Sequence, residues 1–117
     1  RSGKALIYLA DEDLGESRSV FAPLFGISKA SIPLLGRLSK LGKAEVFPCV
    51  SCYDESEKKY TFHVLDAVEG LTGKDDVLDA TLMNQAIERC IDLCPLQYLW
   101  TLRYFQTRPE GEASIYE

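Results

Sequence analysis

The chain holds one histidine, one tryptophan and one methionine in 117 residues. A single histidine rules out a histidine-rich metal centre, and any histidine-dependent general base inside the chain has to be His63. After four intervening residues comes Val68, so His63 opens no His-x4-Asp/Glu pair. No Gly-x-Gly-x-x-Gly or Walker-type glycine pattern is present to cradle a phosphate. No apolar run approaches the roughly 18 to 20 residues of a membrane-spanning helix. Basic charge is also scarce: 13 lysines and arginines against 18 acids leave a net charge of −5, which argues against general nucleic-acid binding. The cysteines, Cys49, Cys52, Cys90 and Cys94, are few and poorly spaced for a zinc knuckle or a disulfide framework. The first two are three apart in a strand-like run and point to opposite faces, while the last two share a helical face. Four small buried thiols in a reducing cytoplasm are expected, with no metal and no cofactor.

Hydrophobic residues make up 46% of the chain and charged residues 26%, enough for one domain with a modest core. The opening, Arg1 followed almost at once by an apolar run, suggests a piece of something longer. Residues 5–10 (ALIYLA) are apolar without alternation and predict a strand covered on both faces, which empties into Asp11, Glu12 and Asp13. Loops beyond the carboxyl ends of such strands carry binding groups, so this acidic loop is the candidate site. Residues 28–42 predict a helix capped by Ser28, with Leu34, Leu35, Leu38 and Leu41 as its apolar stripe and Arg37, Lys40 and Lys43 as a basic edge. Strands are expected at 45–51 and 60–65 around a charged turn, with Tyr60, Phe62 and Val64 on one face and His63 on the other. A long helix at 77–94, capped by Asp75 or Asp76 and ended by Pro95, and a short amphipathic helix at 96–106 complete the reading. The fold class is α/β, a mixed sheet with packed helices.

Asp11 and Asp13 can orient a base, bind a metal or accept a substrate hydroxyl, and as neighbours they influence each other's ionisation. Arg18, Arg103 and Arg108 are the cations best suited to a carboxylate or phosphate, because guanidinium pairs with both bidentately. Phe21, Leu24 and Phe25 around Pro23 are expected in the core. A receiver-type signalling domain is a separate reading, with Asp54 as phosphoacceptor, although no later strand is followed by the lysine such a domain needs.

Four blocks then add up to a family: Ala10 to Asp13, Ser19 to Gly26, Pro95 to Trp100, and Phe105 to Glu112, which contains Thr-Arg-Pro-Glu-Gly. Together they resemble successive blocks of the late lipid A acyltransferases of the lauroyl and myristoyl type. The resemblance implies a glycerolipid-acyltransferase-like fold at the cytoplasmic face of the bacterial inner membrane. It also implies transfer of a fatty acyl group from acyl-acyl carrier protein to a hydroxyl of a lipid A precursor. The chain corresponds to the carboxyl-terminal portion of such an enzyme, without the family's His-x4-Glu/Asp base motif, so the segment alone is expected to be nearly inactive. Carried over by position, Asp11 or Asp13 lines the active-site floor, and Arg18, Arg103 and Arg108 meet anionic groups of the glycolipid. The family often has an amide or histidine where this chain has Glu12, and basic residues where it has Leu102, Tyr104 and Gln106. A non-catalytic variant of the same reading makes the segment a docking module for acyl carrier protein through Arg37, Lys40 and Lys43.

Overall fold

In a computed structural model, which describes residues 3–116, the chain folds as two antiparallel hairpins and two helices. Strands β1 (Val20–Leu24) and β2 (Ile27–Ser31) form the first hairpin, with Phe21 opposite Ala30 and Leu24 opposite Ile27. Its turn is Phe25-Gly26, both at positive φ (50° and 76°), the backbone that matches the twist of a two-residue hairpin turn. Helix α1 (Leu34–Gly42) follows, then strands β3 (Cys49–Asp54) and β4 (Lys59–Val64), helix α2 (Asp76–Leu93) and a short 3-10 turn at Pro95–Gln97. The α/β class therefore stands, with the strands in two separate pairs rather than in one mixed sheet.

The core lies where α2 crosses the first hairpin. Ala22, Leu24 and Ala30 of the hairpin are buried with Ala80, Met83, Ala86 and Ile91 of α2, joined by Leu71 and Tyr104. Along α2 the apolar steps at Ala80, Met83 and Ile91 are buried, while Ile87 and Cys90 are only half-buried. Asp75 caps α2, its carboxylate accepting from the Leu78 N–H at 3.1 Å, as Asp and Asn do at helix starts. Two buried polar residues of α2 support its neighbours. Asn84 donates to the Ala22 carbonyl and the Ser31 hydroxyl, and Asp79 accepts from the Thr72 and Gly73 amides and the Thr72 hydroxyl.

Several expectations are corrected. Residues 5–10 form no strand: Leu6, Ile7 and Leu9 stand exposed, Ile7 at 90%. An apolar run is buried only if another element offers it a ladder and a cover, and among the described residues none does. Ser28 caps no helix; it lies in β2, and α1 begins six residues later, after Pro33. The leucine stripe of α1 is not its buried face. Leu34 and Leu41 are exposed and the buried residue is Gly36, because α1 meets α2 through a backbone approach rather than through side chains. The strand expected at 45–51 starts at Cys49 and runs to Asp54, placing Pro48 just outside the ladder it could not join. The helix expected at 96–106 is only the 3-10 turn followed by irregular backbone. The β4 alternation holds, but Tyr60, Phe62 and Val64 face outward. Phe25, expected inside, sits at the hairpin tip and is exposed, whereas Leu24 is buried.

The cysteine expectation also changes. Cys52 in β3 is disulfide-bonded to Cys94 at the end of α2, their Cα atoms 6.1 Å apart, and Cys49 and Cys90 remain free. Sequence spacing cannot reveal a pair separated by 42 positions, since only the docking of the hairpin on the helix end brings the two together. The same junction holds a second tie. The Gln97 side-chain amide pairs with Tyr53 like a strand residue, accepting from its N–H at 2.7 Å and donating to its carbonyl at 2.8 Å. Gln97→Ala is expected to lower stability by about 1 kcal/mol, because the two exposed backbone groups regain water when the amide is lost. Thermal unfolding under reducing conditions, where the covalent tie does not mask it, is the measurement.

Candidate functional site

The acidic loop is anchored from three directions. Asp11 accepts the Tyr98 hydroxyl at 2.8 Å. Asp13 accepts the Thr107 amide at 2.6 Å on one oxygen, and the Thr107 hydroxyl at 2.7 Å with the Gly15 amide at 3.0 Å on the other. From below, the Lys29 ammonium donates to the Glu12 carbonyl at 3.2 Å and to the Ala30 carbonyl at 3.1 Å. A loop with no strand ladder needs such ties, because its backbone groups are otherwise free to sample many conformations.

The two carboxylates are used differently. Both oxygens of Asp13 are occupied by the protein, so it acts as a hub joining the loop to residue 107. Asp11 spends one oxygen on Tyr98 and keeps the other without a protein donor among the described residues, leaving an acceptor for a hydroxyl or another donor. Burial on its own would raise the pKa of Asp13. The two Thr107 donors, the Gly15 amide and the Lys29 charge outweigh it and hold the carboxyl below its ordinary value. Lys29 also lies below its ordinary value, for a different reason: burial lowers it, and the charges of Asp13 and Asp11 only partly restore it. Tyr98 is pushed far upward by burial and by its bond to Asp11, so it remains a proton donor to that carboxylate.

An aromatic cluster walls this side of the loop. Tyr98 stacks on Tyr104 with ring centres 4.8 Å apart and meets Trp100 edge-on at 4.9 Å, and Trp100 reaches the hairpin tip at Phe25. The loop thus contacts both the aromatic cluster, through Tyr98, and the Lys29 and Thr107 donors. Such a setting suits an acceptor that presents hydroxyl groups next to apolar surface.

The arginines are dispersed. Arg108 is near the loop but engaged, donating to the Ser28 carbonyl at 2.7 Å and pairing with Glu112. Arg103 lies over the Tyr116 ring at 5.7 Å, and Arg18 is exposed in the turn that leads into β1. Of the basic edge on α1, Arg37 is paired with Asp76 at 2.8 Å and Lys43 forms the left-handed end of the helix. Asp54 caps its own hairpin turn, accepting from Ser56 and Glu57, and His63 lies in β4 opposite Val50 rather than at the loop. A surface depression lies elsewhere again, between residues 66–69 and Leu82, Gln85 and Arg89 of α2, and includes none of the loop residues.

Lys29, Tyr98, Tyr104 and Thr107 were not assigned roles from sequence. Tyr98 and Thr107 fall inside the blocks that carry the family resemblance, which is the signal that could have marked them. Lys29 sits in a short polar strand and carries no such signal.

Comparison with known proteins places the chain in a family. Residues 1–107 match the family model for bacterial lipid A biosynthesis acyltransferase. The chain is 38% identical over 112 residues to a lipid A biosynthesis acyltransferase of Haemophilus influenzae, covering 96% of this chain and 35% of the relative. It is 35% identical to the lipid A biosynthesis myristoyltransferase of Escherichia coli, over 100% of this chain and 36% of that protein. Against the lauroyltransferase of the same organism the identity is 33%, over 99% and 38%. The chain thus spans little more than a third of the length of these relatives. Among the described residues no helix is long and apolar enough to cross a membrane. With similarity running from the acidic loop through the Thr107 block that anchors it, the chain belongs to the bacterial lipid A biosynthesis acyltransferase family.

Proposed function

We propose that this chain is the acceptor-binding, carboxyl-terminal part of an enzyme that moves a fatty acyl group from acyl-acyl carrier protein to a hydroxyl of a lipid A precursor. The reaction takes place at the cytoplasmic face of the inner membrane. The observation that carries this reading is the meeting of blocks far apart in sequence: Asp11 with Tyr98, and Asp13 with Thr107, across 87 and 94 positions. Asp11 keeps an oxygen with no donor among the described residues for a sugar hydroxyl of the acceptor, while Asp13 keeps the loop in place. Arg18 and Arg103, whose guanidinium groups pair with no carboxylate among the described residues, meet the phosphate groups of the glycolipid. Arg108 supports the same region through Ser28 and Glu112.

The general base is supplied by sequence outside this chain, since a positioned base contributes about 10²- to 10⁴-fold in rate and His63 stands apart from the loop. Acyl transfer measured with acyl-acyl carrier protein and a lipid A precursor is expected from the complete enzyme and close to background from these 117 residues alone. Brisk transfer by the isolated chain would sink this division of labour. In the complete enzyme, Arg18→Ala and Arg103→Ala are each expected to raise the acceptor's KM by about tenfold, the worth of one charge-assisted contact. An unchanged KM in both removes the arginines from the site.

A further inference from the structure

We propose that Lys29 is a positioning residue for the acyl-transfer site: its ammonium holds the Glu12 carbonyl and thereby sets where the Asp11 and Asp13 carboxylates stand. The inference rests on the acyltransferase reading above and adds a residue that similarity and sequence pattern leave unassigned.

Lys29 is fully buried, with 0% of its surface exposed, so it cannot touch a substrate. A lysine without solvent is costly and persists where its ammonium has specific partners. Two are present, the Ala30 carbonyl within its own strand and the Glu12 carbonyl in the loop 17 positions earlier. The Glu12 bond matters most for the site, because Glu12 lies between the two aspartates and the remaining side-chain ties on this loop come from residues 15, 98 and 107. Lys29 is thus the one side chain of the β1–β2 hairpin bonded to the acidic loop among the described residues. The hairpin is itself tied to α2 through Asn84, so the ammonium links the loop to the buried core. Its charge also faces Asp13 and Asp11, offsetting two like charges held close together.

The test is Lys29→Met in the complete enzyme, a substitution that keeps the length and volume of the side chain and removes the ammonium. Two readings are taken: acyl-transfer kinetics, and hydrogen exchange at the Gly15 and Thr107 amides that Asp13 holds. Loss of the tie is expected to lower kcat by about tenfold with the donor's KM unchanged, since displacing a group by an ångström costs up to about 10²-fold. Exchange at Gly15 and Thr107 should quicken while the amides of β1 and β2 keep their protection. A kcat within twofold of wild type overturns the proposal, as does exchange that quickens equally through the hairpin, which would make Lys29 a general stabiliser of the fold. If Lys29→Met fails to fold, Lys29→Leu, which also removes the donor, is read by the same two criteria. If the wild-type enzyme transfers no acyl group, the acyltransferase reading falls, and the exchange data still decide whether Lys29 holds the loop.

Discussion

Gly36→Ala lowers the stability of the chain by about 3 kcal/mol, an effect opposite in sign to what helix propensity predicts. Alanine in place of glycine within a helix normally stabilises by about 1 kcal/mol. Here a Cβ at position 36 would stand 2.0 Å from Asp79 Oδ2 and 2.6 Å from its Cγ. The carboxylate has nowhere to go: it is buried, and both oxygens are bonded to Thr72 or Gly73. Either the helices separate, at an overpacking cost of about 1–3 kcal/mol, or Asp79 gives up bonds to a charged group worth about 1.5–3 kcal/mol each. Gly42→Ala is the internal control. A Cβ there meets only the Ala44 side chain at 3.8 Å, an ordinary contact, so that variant should be neutral or slightly stabilised. Urea unfolding midpoints of the two variants decide the matter. A Gly36→Ala protein as stable as Gly42→Ala would mean that α1 does not approach α2 through this glycine.

Asp13→Ala has the largest expected effect on activity, about 10²-fold in kcat in the complete enzyme, through displacement of the loop rather than loss of a reacting group. The substitution leaves the Thr107 amide, the Thr107 hydroxyl and the Gly15 amide without their acceptor. All are half-buried, so water replaces part of what is lost and the stability cost stays near 2 kcal/mol. Asp11 remains chemically intact, yet the loop that carries it is freed from residue 107. A variant with wild-type kcat would show that the hub is dispensable. The pH dependence follows from the direction of the shift. The folded-state pKa of Asp13 lies below its ordinary value of about 4, so its contribution is fully present above that value. It is lost as the pH falls further, through the lower pKa of the folded state. Asp13→Asn carries no such charge and should lose this part of the acid sensitivity, so its stability below about pH 4 should fall less steeply than that of wild type. Parallel slopes in that range would remove the linkage.

Where local rules suffice, the sequence was legible. The long helix was, because its apolar steps, its Asp75 cap and Pro95 beyond its end are local signals that agree. So was the charged turn between β3 and β4, whose Asp54 binds the amides that follow it. The first hairpin was hidden: Ser28, a good helix cap by type, lies in β2, and the Phe25-Gly26 turn lacks the usual Asn-Gly or Asp-Gly signature. The acidic loop is singled out in the sequence by way of a strand that the structure does not contain. Residues 5–10 have the composition of a covered strand, but composition specifies a preference for burial and not the partner that supplies it.

By itself the sequence determined the family, the acidic loop as the candidate site and the α/β class, since each rests on residue identity and order. Only the tertiary structure decided which groups Asp11 and Asp13 each bond, which arginine is engaged, that Lys29 lies beneath the loop, and that Cys52 pairs with Cys94. Each of these depends on contacts between positions far apart in the chain. Local pattern states which groups seek a partner, and packing alone selects which partner they find.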